Sequence, residues 1–167
     1  MNFHKLHVLD NGFRILLEPL QPRNSVSLGI WLAAGSRNEE PAQNGMTHFG
    51  EHMIFKGTSA RHWTELSRAI NMLGGNVNAC TSTDWVKAYA TVVYKDLPEA
   101  LELLSEMFFR SLFPADEVAR ERDVILEEIA QYEDVPEDLA FEKFTQALWL
   151  PHPVGRPVIG TEELVEG

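Results

Sequence analysis

Strand-like and helix-like segments follow one another in blocks along this chain, instead of alternating strictly as they do in βαβ folds. The turn sequence Asp-Asn-Gly at positions 10–12 lies between two apolar runs, which is typical of a β-hairpin. Val26–Ala33 predicts a further strand, and Asn76–Val93 predicts a second hairpin that turns near residues 82–84. The blocks therefore predict an α+β fold in which an antiparallel sheet packs against helices.

Helix signals occupy most of the remaining chain. Gly and Pro residues bound these segments, as they commonly do at helix ends. The predicted helices span approximately residues 44–57, 64–75, 96–113, 114–133 and 137–148. Asp96 and Glu99 predict a capping box at the start of the third helix. The segment Pro151–Gly160 predicts a loop because three prolines and two glycines interrupt it.

Charge and composition exclude several classes of protein. The 167 residues include 14 Lys plus Arg against 25 Asp plus Glu, and the net charge of −11 argues against nucleic-acid and anionic-membrane partners. A hydrophobic share of 44% indicates an ordinary globular core. Cys80 is the single cysteine, so no intramolecular disulfide can form. With no signal-peptide pattern and no apolar run of membrane-spanning length, we expect a cytoplasmic protein with no membrane partner.

The segment His48-Phe-Gly-Glu51-His52 carries the strongest chemical signal in the chain. Four residues apart on a helix, the two imidazoles project from one face, and Glu51 lies beside them. Two neutral imidazoles are two corners of a tetrahedral zinc site, and the neighbouring carboxylate can accept a proton from a water at the metal. The order of residues is the reverse of the His-Glu-x-x-His motif.

A coincidental pair of surface histidines is the alternative to a metal site. The rest of this helix is largely apolar, which predicts that it is buried, and buried His and Glu side chains need polar or metal partners. The apolar residues concerned are Phe49, Met53, Ile54 and Phe55. We therefore interpret the motif as a metal site.

A third ligand is expected on the long helix that follows Pro114. Glu121 and Glu128 are seven residues apart and fall together at the edge of its apolar stripe, whereas Glu127 points towards solvent. Two acidic groups beside a core indicate a nearby cation. Glutamates at the edge of a stripe also often extend to solvent, so the helix geometry alone leaves open whether Glu128 is a ligand.

Five segments together carry a resemblance to a known family. They are Gly35–Glu39, Asn44–Thr58, Asn78–Thr81, Glu121–Ile129 and Gly155–Thr161. In this order they closely resemble the zinc-binding half of the pitrilysin, insulinase and mitochondrial processing peptidase family, the inverzincin metallopeptidases. The resemblance covers essentially the whole chain.

The resemblance implies a role for each residue of the motif. His48, His52 and Glu128 would hold one Zn²⁺ ion per chain, because the family's spacing between the motif and its third ligand selects Glu128 over Glu127. Glu51 would be the general base. Glu121 would be the further glutamate that the family needs for activity. The chain would then belong to a zinc-dependent endopeptidase that hydrolyses peptides or unfolded protein segments through a zinc-activated water.

The resemblance also implies a substrate-binding strand. The family pairs an extended peptide with a sheet edge that corresponds to Asn78, Ala79 and Thr81, which is recognition by β-augmentation. Cys80 is expected to be a small buried apolar side chain of this strand. Gly50, Cys80 and Trp85 depart from the family's usual residues, and the last two prevent any transfer of its substrate preference.

Length implies an incomplete enzyme. Family peptidases are more than twice as long and contain a second, similar α+β domain. We therefore expect residues 1–167 to be one zinc-binding domain, an N-terminal fragment that needs a C-terminal domain, a homologous partner chain or a second copy of itself in a homodimer.

Two other functions remain open from the sequence. One is a non-catalytic subunit or binding module of a processing-peptidase-like complex. The other is a metal lyase of the S-ribosylhomocysteinase type, which shares the inverted motif but uses a cysteine as third ligand, for which Cys80 is the only candidate.

Overall fold

The computed structural model describes residues 4–20 and 23–167. The strands are β1 (Lys5–Val8), β2 (Arg14–Leu17), β3 (Ser25–Leu32), β4 (Asn76–Thr81) and β5 (Val86–Val93). The helices are α1 (Met46–Met53), α2 (Trp63–Met72), α3 (Leu97–Phe109), α4 (Ala115–Glu133), α5 (Pro136–Trp149) and α6 (Glu162–Glu166). No helix in these ranges is both long enough and apolar enough to cross a membrane. The cytoplasmic location expected from the sequence stays a prediction.

The strands form two separate antiparallel sheets. The first hairpin pairs β1 with β2 alone, and both of its strands are exposed along their whole length. The second hairpin pairs β4 with β5, and β3 joins it to give the strand order β3-β5-β4. Both predicted hairpins are therefore confirmed. Ala88 in the central strand β5 lies opposite Ile30 of β3 on one side and Ala79 of β4 on the other.

Helices cover one face of the three-stranded sheet. The small side chains of β5 leave room for α3 to pack closely, and the first two helices complete this layer. The core residues include Ile30, Ile54, Leu66, Leu73, Ala88, Ala90, Val92, Leu103, Leu104 and Met107. The predicted α+β class, with an antiparallel sheet packed against helices, is confirmed.

One predicted local motif is wrong. The side chain of Asp96 makes no capping hydrogen bond at the start of α3. Asp96 closes a 3₁₀ turn over Tyr94–Asp96 and has φ −95° and ψ 3°, whereas a capping residue needs extended backbone to turn its side chain towards the helix. Predicted helix ends also shift by a few residues, since α1 ends at Met53, short of Gly57.

The segment Pro151–Gly160, predicted as a loop, forms a short 3₁₀ turn at Pro153–Gly155 and returns to the start of α1. Gly45 has φ +99°, and a Cβ atom there would lie 2.6 Å from the carbonyl oxygen of Ile159. Gly160 has φ +91°, and a Cβ atom there would lie 2.7 Å from the carbonyl oxygen of Asn44. Only glycine permits both the left-handed backbone and this contact, so the two segments lock the helix that carries the His motif.

Gly50 offers a test of the packing around α1. It lies inside the helix, and a Cβ atom there would meet nothing within 4 Å. Gly50→Ala is therefore expected to stabilise the chain by about 0.5–1 kcal/mol, because glycine loses more backbone entropy in a helix than alanine does. Urea unfolding measures this difference. Gly75→Ala is the matched control, since its Cβ would lie 2.1 Å from the carbonyl oxygen of Thr91 and must destabilise. A less stable Gly50→Ala variant would contradict this description of α1.

Candidate metal centre

Three predicted side chains converge between α1 and α4. His48, His52 and Glu128 each offer a ligand atom, and these atoms lie within 4.8 Å of one another. Oε2 of Glu128 is 3.5 Å from Nε2 of His52 and 3.8 Å from Nε2 of His48. The two histidines share one face of α1 because they are four residues apart, as the motif predicts.

The donor set fits a zinc ion. Zinc–nitrogen and zinc–oxygen bonds of about 2.0–2.1 Å in a tetrahedron separate ligand atoms by about 3.3 Å. The separations of Glu128 from the two imidazoles are close to this value, and both exceed the usual length of a hydrogen bond. The side chains are also largely withdrawn from solvent, with exposed fractions of 12% for His48 and 21% for His52. The three groups therefore face a common point without bonding to one another.

His48 favours the form that a metal requires. Burial, and then the nearby His52, lower the pKa of His48 below its usual value of 6.5. The carboxylates Glu128, Glu51 and Glu39 oppose this shift without reversing it. At neutral pH the ring is consequently uncharged and keeps a lone pair for a metal ion. Its Nδ1 atom is buried and has no hydrogen-bond partner in the described part of the chain.

Glu121 lies on the far side of His52 from the cluster. Its Oε2 is 3.0 Å from Nδ1 of His52, and its side chain is only 6% exposed. A carboxylate that accepts the Nδ1 proton directs the Nε2 lone pair towards Glu128 and His48. Glu121 and Glu128 lie on the same face of α4, on either side of the buried Ile125. Because they are seven residues apart on α4, Glu121 reaches the Nδ1 side of the His52 imidazole and Glu128 lies on its Nε2 side.

Glu51 and Glu127 differ in their surroundings. Glu51 is half-buried on α1 between the two histidines of the motif, and its charge contributes to the pKa of His48. Glu127 is exposed on α4 and does not belong to the cluster, as its position on the helix predicts. The structure therefore places Glu51 where its charge acts on His48, and leaves Glu127 exposed to solvent.

Two supporting residues were not identified from the sequence. The carboxylate of Glu39 accepts hydrogen bonds from the backbone nitrogens of Gly45 (2.9 Å) and Thr47 (2.7 Å), and thereby caps α1 from an earlier segment. Lys56 forms an ion pair with Glu121. Both residues lie inside the segments that resemble the peptidase family, but neither contact is a local pattern along the chain. No periodicity or spacing signal could have found them.

Tyr132 also lies near the cluster. It lies near the end of α4 and is 46% exposed. Burial, followed by the negative charge of Glu128, raises the pKa of its hydroxyl above the usual value of 10.0. The phenol therefore stays protonated at neutral pH and can donate a hydrogen bond near the cluster.

The predicted substrate-binding residues lie on an edge strand beside the cluster. β4 pairs with β5 alone, so its other edge has no strand partner within residues 4–20 and 23–167. The hydroxyl of Thr81 lies 3.5 Å from the carbonyl oxygen of Thr47 in α1, which places this edge next to the helix of the His motif. The amide oxygen of Asn78 accepts a hydrogen bond of 2.9 Å from the backbone nitrogen of Ala79. A peptide that uses this donor must displace the Asn78 side chain.

Two of the departures from the family pattern also have definite positions. Cys80 is only half-buried in β4, whereas the sequence predicts a buried side chain. It does not belong to the cluster of His48, His52 and Glu128. Trp85 packs against Trp31, with ring centroids 4.9 Å apart and ring planes tilted by 58°. The ammonium group of Lys87 lies 5.0 Å from the ring centre of Trp85. Trp85 therefore belongs to an aromatic cluster on the sheet.

Comparisons with known proteins show the family to which this chain is similar. A family model described as Insulinase (Peptidase family M16) matches residues 14–162. The uncharacterized zinc protease YmxG of Bacillus subtilis is 42% identical over 159 residues, which cover 95% of this chain and 39% of that protein. An uncharacterized zinc protease of Mycobacterium leprae is 43% identical over 157 residues, which cover 94% of this chain and 35% of that protein. The chain thus spans less than two fifths of the length of these two curated relatives.

Solved structures share the fold. A protease from Helicobacter pylori matches all of this chain and 40% of its own length, with a TM-score of 0.93 and 26% identity. A structure described as an inactive peptidase M16 domain from Pseudomonas fluorescens matches 97% of this chain and 40% of its own length, with a TM-score of 0.87 and 20% identity, a likeness that concerns the fold alone. Because the family model extends over most of the chain and the fold agrees with it, the chain belongs to the insulinase family of peptidases, family M16.

Proposed function

We propose that this chain is the zinc-binding domain of a metalloendopeptidase that hydrolyses peptides or unfolded protein segments. The observation that carries the proposal is the convergence of the ligand atoms of His48, His52 and Glu128 between α1 and α4. These three residues would hold one zinc ion, and three protein ligands leave a fourth position open, as catalytic zinc sites require. The zinc protease names of the relatives support the same assignment.

The chemistry of the proposed reaction divides between the metal and Glu51. His48, His52 and Glu128 would hold the zinc ion, which when bound would supply Lewis-acid polarisation of the scissile carbonyl and a lowered pKa of the attacking water. Glu51 takes the proton from that water as general base and passes it to the leaving amine. Glu121 acts through His52, because its contact is to the imidazole ring and not to the converging atoms. Glu121 is therefore a positioning residue in this proposal.

An extended peptide would bind along the free edge of β4. Ala79 and Thr81, which are two residues apart and so direct their main-chain groups to the same edge, would pair with its main chain, and Asn78 would lie beside them. Main-chain pairing accommodates many sequences in one register beside the metal. Release of the Ala79 N–H from the Asn78 side chain would accompany binding. This edge favours an unfolded segment as substrate, because most main-chain groups of a folded protein are already hydrogen-bonded within it.

The proposed enzyme needs a second domain to close over the peptide. The chain covers 39% of its Bacillus subtilis relative and 40% of its Helicobacter pylori neighbour. We infer that residues 1–167 form a single domain and that a C-terminal domain, a homologous partner chain or a second copy supplies the opposite wall. Exclusion of water and positioning of the carbonyl by that wall contribute several kcal/mol to catalysis.

A cleavage assay tests whether the chain needs a second domain for activity. The zinc-loaded chain alone is expected to cleave an unstructured fluorogenic peptide slowly or not at all, whereas addition of a second α+β domain, from its own gene or a relative, restores turnover. Removal of zinc with a chelator should abolish the restored activity. Rapid cleavage by the chain alone, lost in Glu51→Gln, would contradict the need for a second domain. No zinc-dependent cleavage in any combination would contradict the peptidase assignment.

A non-catalytic role is the second candidate, and one observation favours it. The Pseudomonas fluorescens structure is described as an inactive M16 domain, so this fold also occurs without activity. Against this role stand the cluster of His48, His52 and Glu128 and the presence of Glu51 on the same helix as the two histidines. The lyase alternative receives no such support, because its cysteine ligand would have to be Cys80, which is not part of the cluster.

A further inference from the structure

Lys56 and Glu121 form an ion pair behind the proposed metal centre. Lys56 follows α1, and its ammonium group contacts Oε1 of Glu121. The other oxygen, Oε2, lies 3.0 Å from Nδ1 of His52. The lysine side chain is 28% exposed and the glutamate side chain 6%. A single buried carboxylate therefore has one oxygen on a lysine and the other on an imidazole of the cluster.

We propose that Lys56 is a positioning residue of the metal centre, which acts through Glu121 on His52 and strengthens zinc binding. The inference rests on the proposed function, because it requires His52 to be a zinc ligand. It adds a residue that makes no contact with the three converging atoms.

The charge balance around Glu121 supports this role. A buried carboxylate is costly unless a positive charge or several hydrogen bonds compensate it. His52 supplies no charge when its ring is a neutral metal ligand. Lys56 is the only lysine or arginine in ion-pair contact with Glu121 among the residues that the structure describes. Lys56 is therefore the side chain that supplies a permanent positive charge to this carboxylate.

The ion pair also fixes the direction of the carboxylate. Lys56 and Glu121 both line a cavity of about 1010 Å³, whose other walls include Trp63, Ile70 and Val77. Without the lysine, the carboxylate could turn towards this cavity and away from His52. With Oε1 held by the ammonium group, Oε2 stays directed at Nδ1 of the imidazole. The lysine thereby fixes the ring orientation that a metal ligand needs.

The backbone at Lys56 is held in place independently of this pair. Its nitrogen donates to the carbonyl oxygen of Met53 (3.0 Å), and the next residue, Gly57, has φ +118°. The carbonyl oxygen of Gly57 accepts a hydrogen bond of 3.0 Å from the nitrogen of Leu112. This turn is thus anchored to the connection between α3 and α4. The lysine side chain starts from a fixed point and needs to order only its own rotamers.

Zinc affinity, measured by competition with a chromophoric chelator, separates a positioning role from a merely structural one. Lys56→Met in the 167-residue chain is expected to weaken zinc binding by about 10–100-fold, the usual effect of losing a partner behind a metal ligand. Lys56→Arg should retain most of the affinity because it keeps the charge. Lys143→Met, an exposed position on α5, is the matched control and should bind zinc as the parent does. A purely structural ion pair would lower the melting temperature and leave the affinity unchanged.

A double-mutant cycle tests the path through Glu121. If Lys56 acts through this carboxylate, Lys56→Met should cause no further loss of affinity once Glu121→Gln is present. Parent affinity in Lys56→Met, or a loss that adds in full to that of Glu121→Gln, would contradict the inference alone. A parent chain that binds no zinc, or binds it equally after His48→Ala, would contradict the proposed function as well.

Folding of the variants provides a second test. If Lys56→Met does not fold, the uncompensated charge of Glu121 is the expected cause. Glu121→Gln removes that charge, so the double variant should recover the far-ultraviolet circular dichroism of the parent. A double variant that stays unfolded would show that Lys56 acts elsewhere, and would overturn the inference.

Discussion

Glu51→Gln is expected to lower turnover by at least about 100-fold while zinc binding is retained. General bases contribute roughly 10²–10⁴-fold to enzymatic rates, and the amide preserves the size of the carboxylate while it removes the proton acceptor. Glu51 lies on α1 between the two proposed imidazole ligands but outside the cluster of His48, His52 and Glu128. Its loss should therefore affect the reaction and not the ligand set.

The assay for this variant uses the chain supplied with a second α+β domain. Zinc content and peptide cleavage are measured on the same preparation, so that a loss of metal cannot be mistaken for a loss of catalysis. Glu127→Gln is the matched control, because it makes the same chemical change at an exposed position on α4. Cleavage by Glu51→Gln at a rate near that of the parent would remove Glu51 from the mechanism.

Glu128→Ala is expected to weaken zinc binding by more than about 100-fold. Loss of a partner behind a ligand already costs about 10–100-fold, so loss of a direct ligand should cost more. Oε2 of Glu128 is the only carboxylate oxygen that lies close to both Nε2 atoms of the motif among the described residues. Its removal leaves two imidazoles, too few to hold zinc tightly.

The neighbouring residue makes this test specific. Glu127→Ala removes an equal charge from the same helix but faces solvent, so its zinc affinity should equal that of the parent. Comparison of the two variants separates ligation from a general loss of negative charge in a chain of net charge −11. If Glu127→Ala loses zinc and Glu128→Ala retains it, the assignment of the third ligand is wrong.

Local patterns along the chain predicted the parts of the site that depend on helix periodicity. The four-residue spacing of His48 and His52 and the seven-residue spacing of Glu121 and Glu128 each place two side chains on one helix face. The structure brings these two faces together between α1 and α4. Periodicity alone could not show that Glu128 and not Glu121 approaches both imidazoles, because that depends on how far one helix slides along the other.

Contacts between distant segments were beyond the reach of such patterns. Arg156 donates a 2.6 Å hydrogen bond to the carbonyl oxygen of Glu39, a residue far earlier in the chain, and the side chain of Glu39 then caps α1. The spacing of Arg156 and Glu39 along the chain does not predict this contact. The tertiary fold creates it when the segment after α5 returns to the start of α1.

The capping box predicted at Asp96 is wrong because of local backbone structure, and not because of a contact between distant segments. The residues matched the motif, but the backbone at Asp96 was already committed to the preceding 3₁₀ turn. A motif of side chains predicts a cap only when the backbone is free to adopt the extended conformation it needs.

The partner of β3 also depends on the tertiary fold, since β3 pairs with β5 and not with the hairpin that precedes it in sequence.

A crystal structure of the zinc-loaded chain, with anomalous data collected on both sides of the zinc absorption edge, tests the proposed ligand set directly. We expect one zinc peak per chain, about 2.0–2.2 Å from Nε2 of His48, Nε2 of His52 and a carboxylate oxygen of Glu128. Glu121 should remain on Nδ1 of His52 and make no contact with the ion. A zinc peak elsewhere, or one that has Cys80 or Glu127 in place of Glu128, would contradict the proposed ligand set.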